Sequence, residues 1–163
     1  MRTILLAGLL AAGAFAQEPW AKLDFLLGKW TAAAGPKDTP NGAAQGGFSF
    51  EPDLDRKIII RRNTAVYASG PRHDDLMVIY LDSPGGSPRA IYFDSEGHVI
   101  RYSLAFPERD RVVFESDAGQ PGPRFRLSYA RNGEGLDGKF EIAPPSSDYK
   151  PYLAWTSKRS RAR

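Results

Sequence analysis

Residues 90–106 read AIYFDSEGHVIRYSLAF. The first four are apolar or aromatic up to Asp94, in the manner of a strand. Asp94-Ser95-Glu96-Gly97-His98 is a tight turn, in which Gly97 supplies the positive φ that a type I turn with a bulge requires. The chain then returns in strict alternation. His98, Ile100, Tyr102, Leu104 and Phe106 fall on one face, and Val99, Arg101, Ser103 and Ala105 on the other. This is a β-hairpin, and the chain on either side repeats the pattern.

Downstream, RVVFESD (111–117), PRFRLSYAR (123–131), GKFEIA (138–143) and PYLAWTSKR (151–159) are strands separated by PERD, AGQPGP, NGEG and PPSSDYK. Upstream lie LMVIYLD (76–82), RKIIIRRNTAVYAS (56–69) and GFSFE (47–51), parted by DSPGGSPR, GPRHDD and EPDLD. A Gly-, Pro- and Asn-rich loop is expected over 35–47. The total is about ten strands, with turns every 8 to 14 residues or so. No segment of helical length lies between strands, which excludes the crossovers that a parallel sheet needs. Successive hairpins favour an antiparallel up-and-down β-barrel over a Greek-key sandwich, because closure removes the exposed edges. One short helical segment precedes the first strand.

Two segments stand apart from this barrel. Residues 1–16 carry one positive charge, Arg2, an apolar run from Ile4 to Phe15, and the small-residue pattern Ala14-Phe15-Ala16. They read as a secretory signal peptide cleaved after Ala16, too short to serve as a membrane span. The barrel domain is then expected over 17–157, periplasmic or secreted, with no integral membrane segment after cleavage. Residues 158–163 form a basic tail, read as a solvated terminus, with no nucleic acid expected as partner. The chain has no cysteine, so neither disulfides nor thiolate chemistry contribute. Its oligomeric state is not legible.

The start of the first strand adds a resemblance. LDFLLGKW (23–30) places Gly28-Lys29-Trp30 after the helical segment and resembles the Gly-x-Trp start of lipocalins and their calycin relatives. That resemblance implies that Trp30 packs across the closed end of the barrel, with Lys158 or Arg159 of the last strand over its ring. The mature chain is also similar to secreted bacterial lipocalin-like proteins of unknown function, through LDFLLGKW, FSFEPDLD, DDLMVIYLD, AIYFDSEGHVIRYSLAFP, PRFRLSYAR, GKFEIAPP and YKPYLAWT. This implies a fold and an exported location, and no activity. Nitrobindin, a ten-stranded barrel, is a distant likeness that binds haem through a histidine late in its chain. Here the first-strand motif departs from it and no histidine follows His98, so haem is not carried over and no cofactor is expected.

Three residues are candidates for ligand binding. His98 and Tyr102 share a strand face, and if that face is interior they could orient a polar ligand head; alternatively His98 is a turn histidine bonded to a neighbour such as Asp94. Arg62 shares a face with Ile58, Ile60 and Val66 and is the arginine expected to point inward, ahead of Arg61 and Arg101, where it could pair with a ligand carboxylate. His73-Asp74-Asp75 and Asp53-x-Asp55 offer metal-type side chains but are read as turns, and no metal set is assigned. No nucleophile elbow, zinc-protease motif or phosphate loop occurs, and no catalytic residue is assigned. The leading expectation is a binding module for a small apolar or amphipathic molecule, which requires a cavity of at least about 300 Å³. The alternatives are an enzyme using a polar group in that pocket, and an interaction protein with a filled barrel.

Overall fold

The computed structural model describes residues 18–119 and 122–160. The signal peptide expected over 1–16 lies outside the described residues. A short helix, α1 (Glu18–Ala21), and a 3₁₀ turn (Asp24–Leu26) lead into ten strands. These are β1 (Gly28–Ala34), β2 (Ala44–Asp53), β3 (Ile58–Tyr67), β4 (Arg72–Leu81), β5 (Pro88–Asp94), β6 (Val99–Ala105), β7 (Arg111–Ser116), β8 (Arg124–Asn132), β9 (Gly135–Ala143) and β10 (Lys150–Arg159). Each pairs antiparallel with the next, and β1 pairs with β10 through Trp30↔Arg159 to Ala33↔Thr156, closing the barrel. Gly97, at φ +88°, makes the β5–β6 turn as its sequence requires.

Two of the differences from the sequence reading of the strand limits bear on the site. Ala44–Gly47, expected in a loop, begins β2, and Arg72–Asp75, expected in a turn, begins β4. In the first case the glycines serve close backbone approach rather than turning. A side chain on Gly46 would meet the Thr64 carbonyl, and one on Gly47 the Trp30 carbonyl. In the second, polar residues continue the strand because they find partners across the sheet, Asp74 with Thr64 and Asp75 with Asn63, and along it, Asp74 with Arg72.

The lower half of the barrel is solid. Trp30, Phe48, Phe50, Met77, Ile79, Val112, Phe114, Tyr129 and Leu136 fill it, and Trp20, Leu23, Phe25 and Leu26 of the N-terminal segment pack against them. Trp30 is 1% exposed. Its indole N–H donates to the Leu26 carbonyl at 2.8 Å, tying the cap to the barrel. The Arg159 guanidinium lies 4.5 Å from the centre of the Trp30 ring and donates to the Leu27 carbonyl at 2.9 Å. Gly28 makes this possible twice over. Its φ of +120° is one that other residues avoid, and a side chain there would occupy the position of the guanidinium. β10 therefore runs through Lys158 and Arg159, residues that composition alone groups with the basic tail.

Candidate functional site

The upper half of the barrel is open. It holds a cavity of about 540 Å³. The cause is visible in side-chain size. β1, β2 and β3 line it with Ala32, Ala34, Ala44, Gly46 and Ala65, which do not reach across. The opposite wall, from β8, β9 and β10, carries Phe125, Leu127, Phe140, Ile142 and Trp155. Phe125 and Phe140 stack at 5.8 Å, and Trp155 lies edge-on to Tyr129 at 5.6 Å. Trp155 sits flat over Gly138, its partner across the strands, where any side chain would collide with the indole. The buried Trp155 Nε1 has no acceptor among the described residues.

A polar pole faces this apolar wall. At its base Arg61, 4% exposed, rests on the rings of Phe48 and Tyr129. Its Nε donates to the Tyr129 hydroxyl at 2.8 Å and its Nη1 to the Asp75 carboxylate. Burial alone would lower the Arg61 pKa, but Asp75 and then Tyr129 outweigh it and hold the guanidinium above its ordinary value. Asp75 Oδ2 accepts from Asn63 at 2.8 Å and faces His73 Nε2 at 3.2 Å. The buried carboxylate is thus paired and hydrogen-bonded, as its desolvation demands.

His73 joins the base of the pole to its rim. Its Nε2 lies 3.1 Å from the Tyr92 hydroxyl and its Nδ1 2.9 Å from Glu96 Oε2. The hydrogen bond to Asp75 raises its pKa against the effect of burial, and Glu96 adds to the rise, to about 9. The imidazole is therefore a cation at neutral pH. Asp94, across the sheet from Asp75, accepts from the backbone N–H groups of Glu96 and His98 at 3.1 and 2.8 Å. Its Oδ2 faces His98 Nδ1 at 2.8 Å, and burial, which opposes ionisation, is outweighed by these His98 contacts, so the carboxyl titrates below its usual range. Burial pushes the Tyr92 and Tyr102 phenols well above theirs.

The expected site residues divide as follows. Tyr102 lines the cavity at 1% exposure, stacked edge-on between Tyr92 and Phe114. Its hydroxyl makes no hydrogen bond among the described residues. His98 stands at the rim, exposed, bonded to Asp94 as its turn reading anticipates. Arg62 does not point inward: it is exposed on the outer face beside Ser49, Glu51 and Ile60, and Arg61 takes the interior position. The run Ile58-Ile59-Ile60 is apolar on both faces, so alternation alone could not choose between the two arginines.

His73, Asp75, Tyr92 and Glu96 were not singled out as a ligand-binding set. The signal was present as spacing. His73 and Asp75 are two apart on β4 and so share a side of the sheet, while Asp94 ends β5 and Glu96 follows it in the β5–β6 turn. The register Asp75↔Asp94 then brings the turn against β4, where Glu96 meets His73.

No protein-family model and no curated protein matches the chain. Among solved structures it is similar to Rv2717c from M. tuberculosis, with a TM-score of 0.60 and 15% sequence identity over 88% of this chain and 98% of that one. That likeness shows the fold alone.

Proposed function

We propose that this chain is an exported lipocalin-like barrel that carries a small amphipathic molecule in its upper half. The observation behind this reading is the cavity itself: about 540 Å³, with an aromatic and aliphatic wall on one side and a compact group of polar side chains on the other. Pockets for small molecules have that composition and size. The fully packed interior expected of a purely structural barrel is present only in the lower half.

The donor inventory narrows the ligand. Arg61 and Asp75 are satisfied by one another and by their neighbours, so they set the floor and do not reach for a ligand. The Tyr102 side chain lines the cavity, and its hydroxyl has no hydrogen-bond partner among the described residues. A ligand with an acceptor such as a carbonyl, ether or hydroxyl oxygen at its polar end would accept from Tyr102, while its apolar body lies against Phe125, Leu127, Phe140 and Trp155. His98 stands where it would meet a group that emerges at the rim. Export through the N-terminal signal would place this carrier in the periplasm or outside the cell.

Native and denaturing mass spectra of the protein recovered from its export compartment test this reading. The native spectrum of the wild type is expected to carry a small-molecule mass that disappears on denaturation, and Ala65→Phe, which fills the cavity, is expected to be bare. A bare wild-type chain, or an adduct held equally by the filled variant, would contradict it.

A further inference from the structure

The mouth of the cavity brings together three side chains that the amphipathic-carrier reading does not use for its ligand. His73, Asp94 and Glu96 each direct one nitrogen or oxygen to a common point, with these atoms within 4.8 Å of one another. His73 Nδ1 and Glu96 Oε2 are 2.9 Å apart. Ligands about 2.0–2.2 Å from a zinc ion stand roughly 3.4 Å from each other in a tetrahedral arrangement. The observed spacings bracket that value, and small side-chain rotations reach it.

What lies behind His73 separates this group from an ordinary surface cluster. A metal-bound imidazole almost always donates its other ring N–H to a carboxylate, which fixes its tautomer and its direction. His73 Nε2 faces Asp75 Oδ2 at 3.2 Å, and the Asp75 side chain is 4% exposed. Asp75 is in turn fixed by Arg61 and Asn63. The buried relay Arg61–Asp75–His73 leaves Nδ1 directed at Asp94 and Glu96. Arg61 answers the charge of Asp75, whereas the ion-pair partners of Glu96 and Asp94 are the histidines His73 and His98.

We propose that His73 Nδ1, Asp94 and Glu96 bind a divalent first-row transition ion at the cavity mouth, with Asp75 as the carboxylate that orients the imidazole. One imidazole with two carboxylates suits zinc, manganese or ferrous iron, and the chain has no thiolate to favour softer ions. Binding releases the Nδ1 proton and replaces a hydrogen-bonded imidazolium with a coordinated neutral ring. Remaining coordination positions open to the cavity, where a ligand oxygen could complete the shell.

The test uses EDTA-treated, untagged protein titrated with Zn²⁺ alone by calorimetry, and followed by ¹⁵N NMR of the imidazoles. The chain has only two histidines, so each ring can be followed separately. One Zn²⁺ per chain is expected, with the His73 Nδ1 resonance shifted and Nε2 still protonated. Glu96→Gln, at an exposed turn position that the fold does not depend on, is expected to weaken binding roughly tenfold or more, as is His73→Gln. Absence of one-to-one binding, coordination through Nε2, or affinity unchanged in Glu96→Gln would overturn the proposal. Metal binding is read without any organic ligand and carriage by its adduct mass, so either reading can fail alone.

Discussion

Replacing Asp75 with leucine should be far more damaging than replacing its partner Arg61 with methionine, although both side chains belong to one ion pair. The two are 4% and 5% exposed. Leucine at 75 leaves the Arg61 guanidinium buried with only the Tyr129 hydroxyl and the faces of Phe48 and Tyr129, at 5.8 and 5.9 Å. Breaking a buried pair in this way costs about 3–5 kcal/mol. Methionine at 61 leaves the Asp75 carboxylate with the Asn63 amide and with His73, which is a cation at pH 7. Because one charge and one hydrogen bond remain, the cost should be nearer about 1–3 kcal/mol. The double variant removes both charges together and should be more stable than Asp75→Leu alone. Urea denaturation at pH 7 reads all three. With a slope of roughly 1–3 kcal/mol per molar urea, the single variants should separate clearly in midpoint. Equal losses in the two single variants, or a double variant equal to their sum, would refute the assignment of Asp75 as the charge that keeps Arg61 in place.

Four further outcomes follow from the same geometry. Gly28→Ala should lower the melting temperature by an amount equivalent to about 1 kcal/mol or more, since it strains a φ of +120° and displaces Arg159 from Trp30; thermal unfolding beside Arg159→Ala should show that the two losses are not additive. His73 gains protonation on folding, so its contribution is fully present below pH 6.5 and is lost as pH rises through about 9; metal-free wild type should lose stability across that window in urea titrations, and His73→Gln should not. Gly138→Ala should push the Trp155 ring off its seat and shift tryptophan emission, because Trp20 and Trp30 are buried at the far end and remain undisturbed. N-terminal sequencing of the exported protein should begin at Gln17 if the signal is cleaved after Ala16.

The barrel was legible because its determinants are local. Hairpin turns such as Asp94–His98, alternating strands such as His98–Phe106, and the absence of crossover helices leave one antiparallel topology standing. Trp30 and its cation were legible through the Gly28-x-Trp30 resemblance, though only the structure selects Arg159 over Lys158. The site was less legible, for two physical reasons. A strand that is apolar on both faces, such as Ile58–Ile60, hides its orientation, and a shift of one residue exchanges Arg61 for Arg62. The polar pole is also built across strands. His73 and Asp75 look like turn residues until β5 and the turn after it supply Asp94 and Glu96 beside them. The cavity has the same character, since the run of alanines and glycines on β1 and β2 reads as a weak strand or a loop until the curvature of the barrel sets it against an aromatic wall.

The central claim is that the upper half of the barrel is a binding chamber, and a fluorescence titration with an amphipathic naphthalene sulfonate dye tests it most directly. The wild type should bind one dye per chain, with dye emission rising and Trp155 emission falling along one saturable curve, while Ala65→Phe keeps the melting temperature and loses the binding. Dye that fails to saturate, leaves Trp155 unquenched, or binds the filled variant as well as the wild type would contradict the account.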